Sequence, residues 1–372
     1  MVCKFVVYSL SFVPPVLGAT SNYKRQIRFV DTLAIVILNY NGQPFLAKFL
    51  PTVLANTDGH PVYVADGAST DSSVSFVRAN FPDVRLIELP YNDGYAGGYN
   101  MALERVRTDY GGATYYVLPN SDIEVTPGWL SPVLTLLTNN PKIAACQPKI
   151  RSYDQRELLE HAGAAGGFVD WLGYIFCRGR VFATFETDHG QYDDSRQVFW
   201  ATGACLFMRA DVFHQTGGFD ASFFAHMEEI DWCWRIQRLG YEVWACGQST
   251  VFHVGGGTLH KSNPKKTYLN YRNSLFMLYK NWPADGWLWP KILLRLVLDG
   301  LSSLLFLKVG EWSDVGAILQ AHFAFYKRLP ILHRERKRLQ QQQTTEVRLF
   351  PRSIVWQYFA EGKKTFEEIY DV

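Results

Sequence analysis

Short apolar segments alternate with helical segments over residues 33–122 of this 372-residue chain. The segments Leu33–Leu38, Pro61–Ala65, Val84–Leu89 and Tyr115–Leu118 are mostly apolar, which is typical of parallel strands covered on both faces. Helical segments fill the intervals between them. Strands that alternate with helices in this way predict a doubly wound α/β sheet with right-handed crossovers.

Polar residues directly follow three of these strands. Asn39 follows the first, Asp66 the second, and Asn120-Ser121-Asp122 the fourth. The carboxyl ends of parallel strands meet at one edge of the sheet, where ligands bind. An Asn-x-Asp there offers two oxygen ligands for a divalent cation that carries phosphates, although an Asx turn explains the same residues. Asp66 is suited to accept a hydrogen bond from a base or a ribose.

Two further loops belong to the same edge. Asp71 lies just beyond the second strand in Ser69-Thr70-Asp71, and we expect it to cap the following helix. Residues 91–98 precede a helix predicted over Tyr99–Arg107, and helix N-termini bind anions. This loop is neither a Walker loop nor a GxGxxG motif, so it gives no support for a kinase or a dehydrogenase.

A second cluster of acids lies at the start of a predicted helix that ends near Gly240. Glu228, Glu229 and Asp231 stand within four residues, where like charges repel. Asp231 has Arg235 at position i+4, whereas the two glutamates have no such partner. One glutamate is therefore suited to take a proton from an attacking hydroxyl, with an acidic first turn favoured by the helix macrodipole as the alternative.

The chain between and after these clusters is less regular. Residues 150–194 are rich in glycine and aromatic residues, and we interpret them as irregular substrate loops. A strand predicted over 198–209 carries Trp200 and Gly203. His253 follows another apolar strand and precedes three glycines; a neutral imidazole there could complete a cation's shell beside Asp122, with a satisfied core histidine as the alternative.

The composition excludes some classes of function. A net charge of only +2 gives no electrostatic argument for nucleic-acid binding. The six cysteines form no CxxC pair and mostly lie in apolar runs, which favours buried free thiols in a reducing, cytoplasmic compartment. We interpret residues 1–31 as an N-terminal extension, either disordered or produced by a mis-set start codon. Leu17-Gly18-Ala19 leaves a signal peptide as the alternative.

Residues 281–372 form a helical tail of different character. Lys291, Arg295 and Asp299 interrupt an apolar segment at steps of four, which puts them on one face of a helix. These charges argue against a membrane span and favour a helix that lies at a membrane surface or packs on a neighbour. Basic residues that suit anionic lipid headgroups follow at Lys327, Arg328, Arg334, Arg336, Lys337 and Arg338. Residues 287–338 are therefore a candidate contact with the cytoplasmic face of the inner membrane, with a solvated basic helix as the alternative.

These motifs occur in the order found in a known family. The matching segments are Val36–Gly42, Asp66-x-x-Ser69-x-Asp71, Asn92–Asn100, Asn120-Ser-Asp122, Gly203-Ala204, Glu228-Glu229-x-Asp231 and His253. The chain resembles inverting family 2 glycosyltransferases of the GT-A fold, in the rhamnosyltransferase and galactofuranosyltransferase-like branch. The resemblance implies a GT-A domain over residues 32–280, with a nucleotide-sugar half at 32–125 and an acceptor half at 126–280. Its fold class would be a doubly wound α/β sheet, mixed and mainly parallel, flanked by helices and followed by a C-terminal amphipathic helical appendage.

The resemblance also implies a role for each matched residue. Glu229 would be the catalytic base, with Glu228 as the alternative. Asp122 and His253 would hold Mg²⁺ or Mn²⁺ on the donor diphosphate. The nucleotide would be bound by Asn39, Asp66, Ser69, Asp71, Asn92, Gly97, Asn100 and Asn120, and the acceptor by Trp200, Gly203, Glu228 and Asp231.

Two residues depart from the family's pattern. The family's Asp-x-Asp is Asn120-x-Asp122 here, so cation binding depends on fewer charges. The usual Asp at the base position is Glu229, which is one methylene longer and leaves open which of Glu228 and Glu229 is the base.

The implied reaction is a single in-line displacement that inverts the anomeric carbon. It moves a sugar from a nucleotide-diphosphate donor to a saccharide or lipid-linked acceptor in cell-surface polysaccharide synthesis. The resemblance favours dTDP-rhamnose over UDP-galactofuranose or a UDP-hexose. A sugar nucleotidyltransferase is an alternative, but it usually needs a basic residue in the loop at 39–43, which has none. A non-catalytic carbohydrate-binding protein is another, but it leaves the acids at 120–122 and 228–231 unexplained.

Overall fold

The computed structural model describes residues 31–255, 263–283, 286–308 and 310–370. Apart from its last residue, the N-terminal extension predicted for 1–31 lies outside these ranges, as do the second and third glycines after His253. The strands are β1 (Asp31–Asn39), β2 (Val62–Asp66), β3 (Arg85–Glu88), β4 (Ala113–Pro119), β5 (Ile123–Val125), β6 (Ile143–Ser152), β7 (Gly167–Val169), β8 (Ile175–Cys177), β9 (Arg180–Val181), β10 (Thr184–Phe185), β11 (Ser195–Val198), β12 (Cys205–Arg209) and β13 (Glu242–His253). The helices are α1 (Gln43–Leu54), α2 (Ser73–Asn80), α3 (Gly94–Asp109), α4 (Leu130–Asn139), α5 (Ala210–Gln215), α6 (Glu228–Arg238), α7 (Pro264–Asn281), α8 (Leu288–Lys308), α9 (Trp312–Gln341), α10 (Ile354–Phe359) and α11 (Phe366–Tyr370), with a 3₁₀ turn at Ala221–Phe223.

A mixed nine-stranded sheet forms the centre of the fold. Its order is β11-β13-β6-β12-β4-β1-β2-β3, and β5 pairs with β13. The four strands β1 to β4 run parallel to one another, and β6 runs parallel to β13. By contrast, β5, β11 and β12 run antiparallel to their partners. The predicted doubly wound, mainly parallel sheet is confirmed.

Alternate side chains of β1 reach two different hydrophobic cores. Ala34 and Val36 pack in the core that also contains residues of α3 and α6, whereas Leu33, Ile35 and Ile37 pack in the core that contains α1 and α4. All five side chains are at most 2% exposed. Burial on both faces explains why the strand carries no polar residue from Leu33 until Asn39 at its end.

Two predictions for the middle of the chain are wrong. Residues 150–194 are not irregular throughout, because β6 continues to Ser152 and β7 to β10 form a second, four-stranded sheet. The strand predicted over 198–209 is interrupted between β11 and β12. The Thr202 amide there donates to Gln147 Oε1 at 2.9 Å instead of to a neighbouring strand.

The C-terminal helices pack on the core that contains residues of α3 and α6, and the chain then returns to the second sheet. Ile292 of α8 and Phe325 of α9 belong to the same core as β7 and β8. The Phe350 amide donates to Val169 O at 2.9 Å, and the Ile354 amide donates to Asp170 Oδ2 at 3.0 Å. Among the described residues, none of the helices combines the length and the hydrophobicity that a membrane crossing needs.

Candidate active site

Side chains at the ends of β1 and β2 form one hydrogen-bonded cluster. Asn39 Nδ2 donates to Asp66 Oδ2 at 2.9 Å, and the Ser69 amide donates to Asp66 Oδ1 at 2.8 Å. The parallel register places Asn39 opposite Asp66, which is why the two side chains meet. Asn39 Oδ1 is buried and accepts no hydrogen bond from the described residues, so the cluster keeps an acceptor for a ligand.

Asp71 joins the starts of two helices beside this cluster. Its carboxylate accepts hydrogen bonds from the Ser73 amide at 3.0 Å and from the Gln43 amide at 3.2 Å, the first residues of α2 and α1. Burial would raise the pKa of Asp71, but these hydrogen bonds outweigh it and lower the pKa. The capping expected of Asp71 is present, and it occupies both carboxylate oxygens.

The loop before α3 differs from the prediction because the helix begins at Gly94, five residues earlier than expected. Gly97 therefore lies in the first turn, where a Cβ would stand 1.9 Å from Asp93 Oδ2. Asn100 donates to Phe219 O at 2.8 Å and accepts from the Phe219 amide at 2.9 Å. The nucleotide contact expected of Asn100 is corrected to a structural role, since its amide anchors the Phe219 backbone. Gly97 makes room for Asp93, and its nucleotide contact stays a prediction.

Asn92 remains at the sheet edge. Its side chain is exposed and accepts a hydrogen bond from the Gly94 amide at 2.9 Å. A Cβ on Gly67, the residue after Asp66, would lie 3.9 Å from the Asn92 Cα. The loop therefore borders the Asn39–Asp66 cluster.

His253 lies between two carboxylates. Its Nε2 is 3.2 Å from Asp122 Oδ1, and its Nδ1 is 3.1 Å from Glu160 Oε2. The pairing of β13 with β5 sets His253 opposite Ile123, and this register brings the histidine to Asp122. Burial alone would lower the pKa of His253, but the two carboxylates raise it to about 10. Burial likewise opposes ionisation of Asp122 and Glu160, yet contact with His253 lowers the pKa of both.

Sequence reasoning missed Glu160 because it lies in the stretch interpreted as irregular. The Glu160 amide donates to Ile150 O at 3.0 Å, which fixes the residue against β6. A Cβ on Gly255 would lie 2.7 Å from Glu160 Oε1, so the glycine after His253 leaves room for this carboxylate. The glycines after His253 were the one sequence signal of a close approach here.

Asp122 and His253 fit a divalent cation that also binds phosphate. They supply one oxygen and one nitrogen ligand, and Mg²⁺-type sites commonly take their remaining ligands from substrate phosphates and water. Glu160 beside Nδ1 orients the ring so that Nε2 faces Asp122, as carboxylates do behind metal-binding histidines. Asn120 Nδ2 lies 3.5 Å from the same Nε2. Within the described residues, no three or more His, Cys, Asp or Glu side chains form a protein-only metal cage.

Glu228 and Glu229 begin α6, and no basic side chain of the described residues pairs with either. Oε2 of each carboxylate is buried and makes no hydrogen bond to the described residues. Burial raises the pKa of both, and the charge of Glu229 raises that of Glu228 further. The Gly203 backbone amide partly offsets this for Glu229, and a Cβ on Gly203 would lie 3.6 Å from Glu229 Cδ. A carboxylate with a raised pKa in such a setting is suited to proton transfer near neutral pH.

A short stretch of backbone connects this acid pair to the cation ligands. Gly203 lies beside Glu229, and its neighbour Ala204 accepts a hydrogen bond from the Asn120 amide at 2.9 Å. Asn120 in turn precedes Asp122 by two residues. The acid pair and the Asp122–His253 pair therefore lie at the same edge of the main sheet.

The backbone before the acid pair is strained and is held by α7. Phe224, His226 and Met227 have φ angles of 65°, 72° and 73°, which residues other than glycine rarely adopt. Asn273 Nδ2 lies within 2.8 to 2.9 Å of the carbonyl oxygens of Phe223, Ala225 and His226. Such strain persists only where the surroundings impose it. Asn273 therefore positions the acid pair, a role that the sequence analysis did not identify.

Two residues expected to bind the acceptor are instead buried in the protein, and those expectations are corrected. Trp200 is 3% exposed, and its Nε1 donates to Phe168 O at 3.1 Å. Asp231 is wholly buried, and Arg235 Nε, Lys280 Nζ and Asn281 Nδ2 lie 2.9, 3.1 and 2.7 Å from its oxygens. Both side chains have their polar atoms occupied by the protein. The pairing of Asp231 with Arg235 that the sequence indicated is present.

Comparison with known proteins identifies the same family that the motifs indicated. The model of "Glycosyl transferase family 2" matches residues 34–217. The chain is 28% identical, over 73% of its length and 90% of the relative, to an N-acetylglucosaminyl-diphospho-decaprenol L-rhamnosyltransferase of Mycobacterium tuberculosis. It is 23% identical, over 67% of its length and 76% of the relative, to the low-salt glycan biosynthesis hexosyltransferase Agl10 of Haloferax volcanii.

The fold has a solved counterpart in GalNAc-T7, whose crystal structure holds UDP, GalNAc and Mn²⁺. The TM-score is 0.52 with 13% sequence identity, over 69% of this chain and 49% of that one. These comparisons favour a transferase over the nucleotidyltransferase and the non-catalytic binding protein that the sequence left as alternatives. Residues 34–217 are a glycosyl transferase family 2 domain, and the chain is a glycosyltransferase that resembles the L-rhamnosyltransferase of Mycobacterium tuberculosis.

Proposed function

We propose that the protein is a metal-dependent, inverting glycosyltransferase in which Glu229 is the catalytic base. The observation that carries this proposal is the presence of two carboxylate groups with opposite electrostatics at one sheet edge. Asp122 has a lowered pKa beside His253, whereas Glu229 has a raised pKa and a buried oxygen without a partner among the described residues. A cation ligand must stay ionised, and a base must be able to take up a proton.

The reaction is one displacement at the anomeric carbon. Glu229 takes the proton of the acceptor hydroxyl, whose oxygen forms the new bond to that carbon as the bond to the donor diphosphate breaks. A divalent cation held by Asp122 and His253 would supply charge neutralisation for the diphosphate. Attack opposite the departing group inverts the configuration. Glu228, next to Glu229, raises the affinity of the pair for a proton and remains the alternative base.

The nucleotide lies at the ends of β1 and β2 in this proposal. Asn39 Oδ1 and the Asp66 carboxylate are the acceptors for base or ribose donors, with Ser69 holding Asp66 in place. Asn92 and Asn120 border the same edge, and the acceptor would bind near Gly203, where a Cβ would lie 3.6 Å from Glu229 Cδ.

The donor is dTDP-rhamnose and the acceptor a saccharide, free or linked to a lipid, in the synthesis of a cell-surface polysaccharide. The family branch supports the donor, and a relative named for its diphospho-decaprenol acceptor supports the lipid-linked class. In keeping with such an acceptor, we propose that the enzyme works peripherally at the cytoplasmic face of a membrane, through residues 287–338.

A donor panel with product analysis tests this function. The purified chain is offered dTDP-, UDP- and GDP-sugars with Mn²⁺, and the anomeric configuration of the product is determined by NMR. We expect turnover with dTDP-rhamnose and an inverted product. Retention of configuration, or no binding of any nucleotide sugar by the folded chain, would overturn the proposal.

A further inference from the structure

The outward face of α8 is apolar along its whole length. Its exposed positions recur at intervals of three and four residues, as one face of a helix does. They are Trp289, Pro290, Leu293, Leu294, Val297, Gly300, Leu301, Leu304, Leu305 and Lys308. Only the last carries a charge. In a helix that faces water this side is polar.

The inward face of the same helix carries its other charged side chains. Arg295 and Asp299 are 7% and 2% exposed, and Arg295 Nε donates to Asp299 Oδ1 at 2.8 Å. Arg295 also donates to Gly173 O at 3.2 Å, and Ser302 Oγ lies 2.6 Å from Tyr271 Oη. The polarity of α8 is thus reversed relative to an ordinary surface helix, since charges face the protein and leucines face outward.

The exposed apolar face continues onto the start of α9. Trp312 is 72% exposed, Leu319 65% and Phe323 79%, at helical spacing. Trp287, just before α8, is 64% exposed. A full aromatic side chain presents about 150–250 Å², so these three aromatics alone expose on the order of 400 Å². Patches of this size on soluble domains mark interaction sites.

The exposed charge carried by α8 and α9 themselves has one sign. Within α8 and α9 the exposed side chains that are ionised at neutral pH are all basic: Lys308, Lys327, Arg334, Lys337 and Arg338. The last four lie on the second half of α9, after Trp312, Leu319 and Phe323. Glu311, in the turn that joins the two helices, is an exposed acid nearby. Tryptophan at the ends of an apolar face, followed by lysine and arginine, is the composition of a bilayer interface.

We infer that this α8–α9 face docks on an anionic lipid bilayer, with α8 lying in the plane of the interface. The inference deepens the proposed membrane position by naming the face and the lipid charge. The basic half of α9 favours anionic headgroups at about 1 kcal/mol per residue in general. A second copy of the chain fits less well, because a twofold contact would bring like charges of α9 towards each other.

A cavity lies on the inward side of α8. Its volume is about 120 Å³, and its lining includes Met227, Tyr174, Arg295 and Asp299. Met227 directly precedes Glu228. The inward side of α8 therefore borders a cavity that extends as far as Met227, the residue before the acid pair.

Vesicle co-sedimentation of the full chain tests the inference. The probes are vesicles of phosphatidylcholine with phosphatidylglycerol and vesicles of phosphatidylcholine alone. One variant carries Leu301→Glu and Leu305→Glu on the outward face of α8, and a second carries Lys337→Glu and Arg338→Glu. The control is Ser131→Glu with Thr138→Glu, which adds the same charge as the α8 variant. Both positions are exposed on α4, which packs in the other core.

We expect the wild type and the control to bind the anionic vesicles, and each α8 or α9 variant to bind them at least about tenfold more weakly. All positions changed are exposed, so circular dichroism should report an unchanged fold. Equal binding by all four proteins, or no binding by the wild type, would overturn the inference. A wild-type dimer that the α8 variant dissociates, without vesicle binding, would reassign the face to a second copy. Donor binding measured in parallel separates failure of docking from failure of the proposed transferase function.

Discussion

The Asp122–Glu160 site and the Glu228–Glu229 site each hold two carboxylates, but they differ in what stands between the acids. His253 lies between Asp122 and Glu160, within 3.2 Å of both, and their pKa values are lowered. No cation stands beside Glu228 and Glu229 in the part of the chain that the structure describes, and their pKa values are raised. The pKa values of the two carboxylate pairs are thus shifted in opposite directions.

The opposite pKa shifts support different chemical roles for the two sites. When two carboxyl groups lie in environments that shift their pKa values in opposite directions, one stays ionised and can bind a cation, whereas the other can accept a proton. In the proposed function the lowered pKa of Asp122 suits a cation ligand, and the raised pKa of Glu229 suits a base. Variants that exchange or remove these environments should therefore change binding at one site and proton transfer at the other.

The largest expected effect is that of Glu229→Gln. Loss of a general base typically lowers turnover by about 10²–10⁴-fold, and donor binding should be unchanged because the amide keeps the size of the side chain. The measurement is kcat with saturating donor and acceptor, with Glu346→Gln as a control at an exposed glutamate. Turnover within a few fold of wild type would transfer the role of base to Glu228.

Removal of the divalent cation should have the next largest effect. A metal that neutralises a departing diphosphate lowers the activation free energy by several kcal/mol. A chelator should therefore lower turnover by on the order of 10²–10³-fold. Mn²⁺ or Mg²⁺ added in excess should restore it. Full activity in the chelator would mean that Asp122 and His253 are not cation ligands.

Glu160→Gln should weaken metal binding without abolishing it. Carboxylates behind metal-binding histidines typically change metal affinity by about 10–100-fold when replaced, because the ring loses its preferred orientation. Mn²⁺ titration followed by electron paramagnetic resonance, with donor diphosphate present, measures this directly. Glu157→Gln on the same segment is the matched control, and equal Mn²⁺ affinity in both variants would remove Glu160 from the site.

The smallest expected effect is a gain in stability in Glu228→Gln. The raised pKa of Glu228 means that ionisation of this buried acid destabilises the fold, and the penalty appears as the pH rises through the raised value. At alkaline pH the free energy of unfolding of the variant should therefore exceed that of the wild type by about 1 kcal/mol, measured by denaturant titration. At acid pH the two proteins should differ little. A gain that is equal at both pH values would point to packing instead of charge.

The sequence predicted the residues that lie at strand ends and could not predict those that depend on packing. Asn39 and Asp66 were found because the carboxyl ends of adjacent parallel strands meet, and His253 because it ends a strand beside three glycines. Glu160 and Asn273 were missed, since their roles arise from the approach of β13 to residues 158–162 and of α7 to the loop before α6.

Some predicted site residues proved to be structural for the same reason. Asp231 carries the right group at the right spacing, but α7 brings Lys280 and Asn281 to its second oxygen. Trp200 lies against Gly167, where a Cβ would stand 1.9 Å from the indole, so it fills a gap between the two sheets. A motif fixes the residue type, whereas its long-range neighbours decide whether the side chain faces a ligand or the core.

The central claim is that one carboxylate site binds the donor and the other transfers the proton. Isothermal titration of dTDP-rhamnose with Mn²⁺ into Asp122→Asn and Glu229→Gln tests it most directly. We predict that Asp122→Asn loses the metal-dependent donor binding and that Glu229→Gln binds the donor as the wild type does while transferring sugar about 10²–10⁴-fold more slowly. Donor binding that survives in Asp122→Asn, or disappears in Glu229→Gln, would contradict the division between the two sites.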